Sequence, residues 1–289
     1  MPTVYLLITY MKKTIFLRAF ALSAFCLLLS AFSLSAQPSP IVILHTNDTH
    51  SHLESFTDKY EGNDVGGALR RNTFIQETRK EYPNTLLVDA GDFSQGTAYF
   101  NLFKGFPEIE LMNKMGYDAV ALGNHEFDNG LKALAKRLKI ADFKILCANY
   151  LFKNKQLAKI VKPYTIIHIA GKKIGFFGLL CDLENLVLPD VYKETTYLDP
   201  IAAAQKMVDI LKNQEQCDLI ICLSHLGIDS LEFSEDITDS IVAEKVPGID
   251  FIIGGHTHKL LKEPLVMNNT KILQAKLNGI YIGKLVISD

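Results

Sequence analysis

Five short apolar runs along the chain end in polar residues of one restricted kind: IVILHTNDTH from Ile41, TLLVDAGD from Thr85, AVALGNHE from Ala119, LIICLSH from Leu219 and FIIGGHTH from Phe251. Each run reads as a β-strand, bounded as it is by glycine and by turn-forming residues. Asp48, His50, Asp92, Asn124, His125, His225, His256 and His258 therefore fall at strand ends. Open α/β sheets assemble their sites at strand ends.

Helical patterns lie between the runs. Gly66 to Tyr82 carries Leu69, Phe74 and Ile75 among Arg, Gln and Glu, which predicts an amphipathic helix. Pro107 with Glu108 and Glu110 opens a helix to Met115, and Gly116 ends it. Leu131 to Leu138 and the stretch from Asp199–Pro200 to about Gln214 repeat the pattern, the latter with an N-cap acid. Strands alternating with helices imply parallel pairing. The runs Tyr164 to Ile169 and Lys173 to Leu180 flank Ala170–Gly171 and predict an antiparallel hairpin, so the β-structure is mixed. Lys271 to Ala275 and Tyr281 to Ile287 supply two closing strands around Asn278–Gly279.

Composition narrows the class. At 289 residues, 48% hydrophobic and 21% charged, the chain fits one large globular domain. Residues 1–36 contain no acid, carry Lys12, Lys13 and Arg18 ahead of an apolar stretch from Ala19 to Phe32, and end in small residues, which predicts a secretory signal peptide. Met11 is its natural start. The apolar stretch is shorter than the roughly 20 residues a spanning helix needs, so a cleaved leader and a periplasmic or cell-envelope location are expected, without a stable membrane anchor. The mature chain, 37–289, would carry a net charge of −5 in place of −2. With no basic face near the motifs, that argues against a nucleic-acid partner. Cys147, Cys181 and Cys222 read as small buried hydrophobes and Cys217 lies near a helix end, with no metal-binding CxxC pattern.

Asp, Asn and His together suit divalent ions held by mixed oxygen and nitrogen ligands. In Asp48–Thr49–His50 the i and i+2 positions leaving a strand project to one side, so a carboxylate and an imidazole can converge on one ion. His256 and His258 have the same spacing and can serve one ion or two neighbouring ones. With Asp92 and Asn124 at further strand ends, two ions sharing a carboxylate become feasible. Such a pair can hold a bridging hydroxide and neutralise the oxygens of a phosphoryl group.

The motifs NDTHSH, GDFSQG, GNHEFD, SHLG and GGHTH, in this order, resemble those of the calcineurin-like metallophosphoesterases, in particular the catalytic domain of the 5′-nucleotidase family. The resemblance implies a sandwich of two mixed β-sheets flanked by helices in four α/β/β/α layers. It implies Asp48, His50 and His258 as ligands of one metal, Asn124, His225 and His256 as ligands of a second, and Asp92 as the bridge. It implies His125 acting on the substrate phosphate, with Asp128 orienting it. The cofactors would be two divalent ions drawn from Zn, Mn, Fe, Mg or Ca. The implied activity is hydrolysis of nucleoside 5′-monophosphates or related phosphate esters by a metal-bridged hydroxide. A cyclic-nucleotide phosphodiesterase, a broad phosphoesterase, a sulfur-ester hydrolase, or a metal-binding subunit of a split nucleotidase without turnover are the alternatives.

In that family a C-terminal domain grips the nucleotide, and the sequence ends before any counterpart, so a separate polypeptide carrying it is the expected partner. Among the remaining histidines, His45 and His168 read as hydrogen-bonded structural residues and His52 as a neighbour of the site or a solvent-facing group. Gly66–Gly67 with Arg70 and Arg71 reads as a helix entry beside a solvated basic face. Phe93 to Gly96 would shape the loop after Asp92.

Overall fold

Two six-stranded sheets carry the site between their strand ends. The computed structural model describes residues 39–229 and 236–288, so the expected signal peptide, Met11 and Cys26 lie outside the described residues. One sheet runs in the order Gly283–Ile287, Ile41–Thr46, Thr85–Asp89, Ala119–Ala121, Lys144–Leu146 and Val161–Lys162. All its pairings are parallel except that of the first two strands. The other runs Leu265–Met267, Thr270–Leu273, Phe251–Gly254, Leu219–His225, Lys172–Leu180 and Tyr164–Ile169, with antiparallel pairs at both edges.

Strand parity produces the layers. Ile41, Ile43, Leu86 and Val88 of the first sheet pack against Ile174, Phe176, Ile221, Leu223 and Ile253 of the second. The alternate residues, Val42, Leu44, Leu87 and Val120 on one side and Phe177, Cys222 and Ile252 on the other, face a core shared with the helices. Both faces of each sheet are thereby covered, which is why the central strands are buried at nearly every position and mostly apolar. The two closing strands part company, one joining each sheet, and so tie the sandwich together.

Local chemistry sets the boundaries of the helices. Helix Phe106–Met115 has proline in its first turn and ends on Gly116 at φ 73°, a left-handed cap suited to glycine. Helix Pro200–Asp209 begins where the Asp199 side chain accepts a hydrogen bond from the Ala202 N–H at 2.8 Å, and it ends in a single π-helical turn to Gln214. The Tyr164–Ile169 and Lys172–Leu180 strands form the expected hairpin, with Ala170 and Gly171 both at positive φ.

Two expectations need correction. Helix Ala68–Glu81 buries Ala68, Arg71, Ile75 and Thr78, whereas Leu69 and Phe74 lie 82% and 40% exposed. The helix thus seats Arg71 inward and leaves two apolar side chains in water. His168 is exposed on an edge strand, and is no buried structural residue. His45 is buried as expected, yet its Nδ1 has no partner among the described residues, and burial pushes its pKa down to about 4. The four described cysteines are free thiols, with Cys147, Cys181 and Cys222 buried.

Candidate metal centre

Most of the expected ligands sit just past their strands, in loops with unusual backbone conformation. Strand Ile41–Thr46 stops two residues before Asp48, and Asp48, His50, Asp92, His256 and His258 all have φ between 45° and 70°. Left-handed backbone is uncommon outside glycine and concentrates at functional sites. Convergence of Asp48 with His50 therefore comes from a coiled loop, and the same-side projection of an extended strand does not apply. His225 is the exception, lying on its strand. Asn124 opens a 3-10 turn, Asn124–Phe127.

The loops hold one another by backbone bonds. Asp48 N–H donates to Gly91 O at 2.9 Å, His50 N–H to Asp92 O at 3.0 Å and Asn278 N–H to Asp48 O at 2.6 Å. The fully buried Asp48 carboxylate accepts from His256 N–H at 3.0 Å and from Asn47 Nδ2 at 2.6 Å. Glycine is required at position 123, where a Cβ would overlap both the Asp92 carboxylate and its backbone nitrogen.

Around this frame the donors converge. His50 Nε2 and His258 Nε2 face each other at 3.1 Å and lie 3.9 and 3.4 Å from Asp48 Oδ1. His225 Nε2 lies 3.0 Å from Asp92 Oδ2 and 3.8 Å from Asp48 Oδ1 without hydrogen-bond geometry to any described acceptor. Its Nδ1 donates to Ala90 O at 2.8 Å, which fixes the ring and turns the other nitrogen toward the carboxylates. Three groups, Asp48–His50–His258, Asp92–His225–His256 and His50–Asp92–His125, each bring their ligand atoms within 4.8 Å of one another. Asn124 is buried beside them, its Oδ1 3.9 Å from Cys181 Sγ.

Electrostatics fit cations at this place. Burial lowers the pKa of His50, and that of His256 to about 4, so both rings stand in the neutral, ligating form. Burial also pushes against charge on His225, but Asp92 and Asp48 outweigh it and raise the pKa to about 10. Without a metal, a proton there supplies the positive charge that the buried carboxylates demand. Imidazole nitrogens facing one another across buried carboxylates are the donor set that divalent ions favour.

His125, one of these donors, also has a partner of its own. Its Nδ1 bonds Asp128 Oδ2 at 2.9 Å, and its backbone N–H donates to Asp92 Oδ1 at 2.9 Å. Partial burial lowers its pKa, but the Asp128 hydrogen bond and the charges of Asp92 and Asp128 prevail and lift it to about 9. Both His125 and Asp128 line a cavity of about 740 Å³. His52 bonds the His50 carbonyl at 2.9 Å and so buttresses the loop.

Sequence reasoning missed three supports. The buried Glu126 accepts at Oε2 from Asp92 N–H at 2.9 Å and Gly123 N–H at 2.7 Å, and at Oε1 from Ser94 N–H at 3.1 Å. The fully buried Arg137 donates to the Glu126 carbonyl. Gln274 bonds Gly255 O, Lys259 N–H and Thr257 Oγ1, which holds the His256–His258 loop. The only advance signal for Glu126 is an acid set between His125 and Phe127 in a motif otherwise assigned. Gln274 and Arg137 lie outside every motif.

Residues 41–260 match the family model described as calcineurin-like phosphoesterase. A 5′-nucleotidase of Diplobatis ommata is 39% identical over 92% of this chain and 49% of its own length. Among solved structures, a 5′-nucleotidase precursor of Thermus thermophilus is 32% identical, with TM-score 0.76 over 86% of this chain and 51% of that one. The calcineurin-like phosphoesterase YfkN of Bacillus subtilis is 28% identical, with TM-score 0.71 over 86% of this chain and 84% of that one. The chain spans about half the length of the curated relatives it matches. With the two-sheet sandwich, the strand-end donors and the matched span in agreement, the chain belongs to the calcineurin-like phosphoesterase family.

Proposed function

We propose that this chain is the catalytic part of a divalent-metal phosphomonoesterase of the 5′-nucleotidase type, acting on nucleoside 5′-monophosphates or related esters. The observation that carries this reading is the convergence of two carboxylates and five imidazoles, one of which, His125, is also paired with Asp128. Asp48, His50 and His258 would hold one cation, Asn124, His225 and His256 a second, and Asp92 would lie between them. Cations held there supply concentrated positive charge for the oxygens of a transferring phosphoryl group.

The protein groups do the rest. Asp128 accepts the Nδ1 proton of His125, which fixes the tautomer and leaves Nε2 for the substrate. The imidazolium then donates a hydrogen bond where negative charge develops on the phosphoryl or leaving oxygen. Hydrolysis adds water across the ester bond: phosphorus keeps the water oxygen, and the alcohol leaves with a proton. Glu126 keeps the Asp92 and Gly123–Asn124 loops in register throughout.

The test is chelator-stripped protein reloaded with Zn, Mn, Fe, Mg or Ca and assayed on nucleoside monophosphates, UDP-sugars, cyclic nucleotides and an aryl phosphate. Phosphate release that depends on added metal is expected, greatest on monophosphates. Release unaffected by chelation, or none with any metal, overturns the proposal. We also propose export through residues 1–36, for which Lys12, Lys13, Arg18 and the apolar stretch after them are the support. Fractionation that finds the chain in the cytoplasm with its N-terminus intact contradicts it.

A further inference from the structure

The wall of the cavity opposite His125 and Asp128 is built by a segment outside the set of metal ligands. Leu186, Val187, Val191 and Tyr192 are half-buried and pack on the main core, so the wall is anchored. Leu188 lines the same cavity with 75% of its surface in water. A large aliphatic side chain held in solvent next to a catalytic pair gains free energy when something apolar covers it.

Charge in the cavity comes from His125, Asp128 and Glu184. Asp128 and Glu184 line it, and no lysine or arginine does among the described residues. Lys193, the C-cap of the short helix Pro189–Tyr192, is paired with Asp190 at 3.1 Å. A leaving group carrying its own negative charge would meet the exposed Glu184, whereas Asp128 is already paired with the His125 imidazolium. A neutral leaving group meets the apolar wall without that repulsion.

We infer that this cavity is the leaving-group subsite, and that Leu188, Val191 and Tyr192 select phosphate monoesters of uncharged aromatic or aliphatic alcohols while Glu184 disfavours esters whose leaving group bears a further phosphate. The inference rests on the phosphomonoesterase reading and deepens it. Its physical basis is that contacts with the non-reacting part of a substrate position the ester at the catalytic groups. Covering one large aliphatic side chain changes selectivity by about tenfold, which is the scale hydrophobic pockets reach.

The experiment uses the metal-loaded full chain and two variants. For Leu188→Ser, the ratio of kcat/KM on 1-naphthyl phosphate to that on glycerol phosphate should fall about tenfold, mainly through KM. For Glu184→Lys, the ratio of kcat/KM on a nucleoside diphosphate to that on the matching monophosphate should rise severalfold. Leu188 is exposed and Glu184 sits at the surface, so both variants should fold, with a circular dichroism spectrum matching the parent as the check. Hydrolysis by the parent with both ratios unmoved overturns the subsite and leaves the phosphomonoesterase reading standing. No hydrolysis of any ester by the parent with any metal overturns both.

Discussion

Replacing Glu126 by glutamine should weaken both the fold and the metal centre, and the geometry sets the size of the effect. The side chain is fully buried and takes three backbone N–H groups, two at Oε2 and one at Oε1. An amide keeps one oxygen, which can serve the Asp92 and Gly123 donors, and turns its NH2 toward the Ser94 N–H. One hydrogen bond to a charged acceptor is lost and a buried donor is left facing another donor. Such a bond is worth about 1.5–3 kcal/mol, and a stranded buried donor costs about 1–3 kcal/mol. Part of this is offset, because burial and the neighbouring Asp92 already disfavour the Glu126 charge and raise its pKa. The balance is about 2 kcal/mol, or roughly a 30-fold change in an equilibrium constant. Urea unfolding of metal-free protein should register the loss of stability, and titration of zinc should show weaker binding. Glutamine at this position with unchanged stability and unchanged zinc affinity would refute the claim that Glu126 organises the loops.

Further predictions separate the roles of neighbouring residues. Asp92→Ala and Asn124→Ala should lose metal together with activity, whereas His125→Ala should keep metal and lose activity by about 10²–10⁴-fold; metal-to-protein ratios beside turnover check this. Gly123→Ala should abolish metal retention because its Cβ overlaps Asp92, whereas Gly62→Ala, with open space around its Cβ, should cost only the strain of a left-handed backbone; metal content and melting temperature compare the two. Burial raises the Asp89 pKa to about 8, against the hydrogen bonds from Thr46 and Gly91 that lower it. Since its folded pKa lies above the unfolded one, its contribution to stability is full below about pH 4 and is lost as pH rises toward 8. In urea unfolding of metal-free protein, the stability of the parent relative to Asp89→Asn should therefore fall between about pH 5 and 8.

How much of this was legible in the sequence differs by level. The strand-end donors were visible because apolar β-runs and Asp, Asn or His follow one another so abruptly. Cys222 and its neighbours were read correctly as core. The split into two sheets was not derivable from pattern, since strands of both sheets are apolar at successive positions and carry no mark of which sheet they join. Helix Ala68–Glu81 was found, but its inward face was misjudged: Arg71 lies inside and Leu69 outside, an inversion that a hydrophobic scale cannot express. The left-handed loops were invisible because Asp and His, unlike glycine, do not announce such a conformation. Glu126 and Arg137 act through backbone groups brought together only by folding, so no spacing along the chain encodes their partners.

The left-handed loops have a consequence for how the protein acquires its ions. Each such residue costs of order 1 kcal/mol when unsupported, and the support comes from partners far away in sequence, as between Asp48 and Asn278 or between Asp48 and His256. No fragment of the chain can hold the donor geometry by itself, because the supporting bonds join both sheets and the final strand-to-strand turn. Metal uptake should then be a late event, reporting that the last turn around Asn278 has docked. A chain in which that turn has not yet docked would be unable to hold ions, and loading would follow completion of the fold.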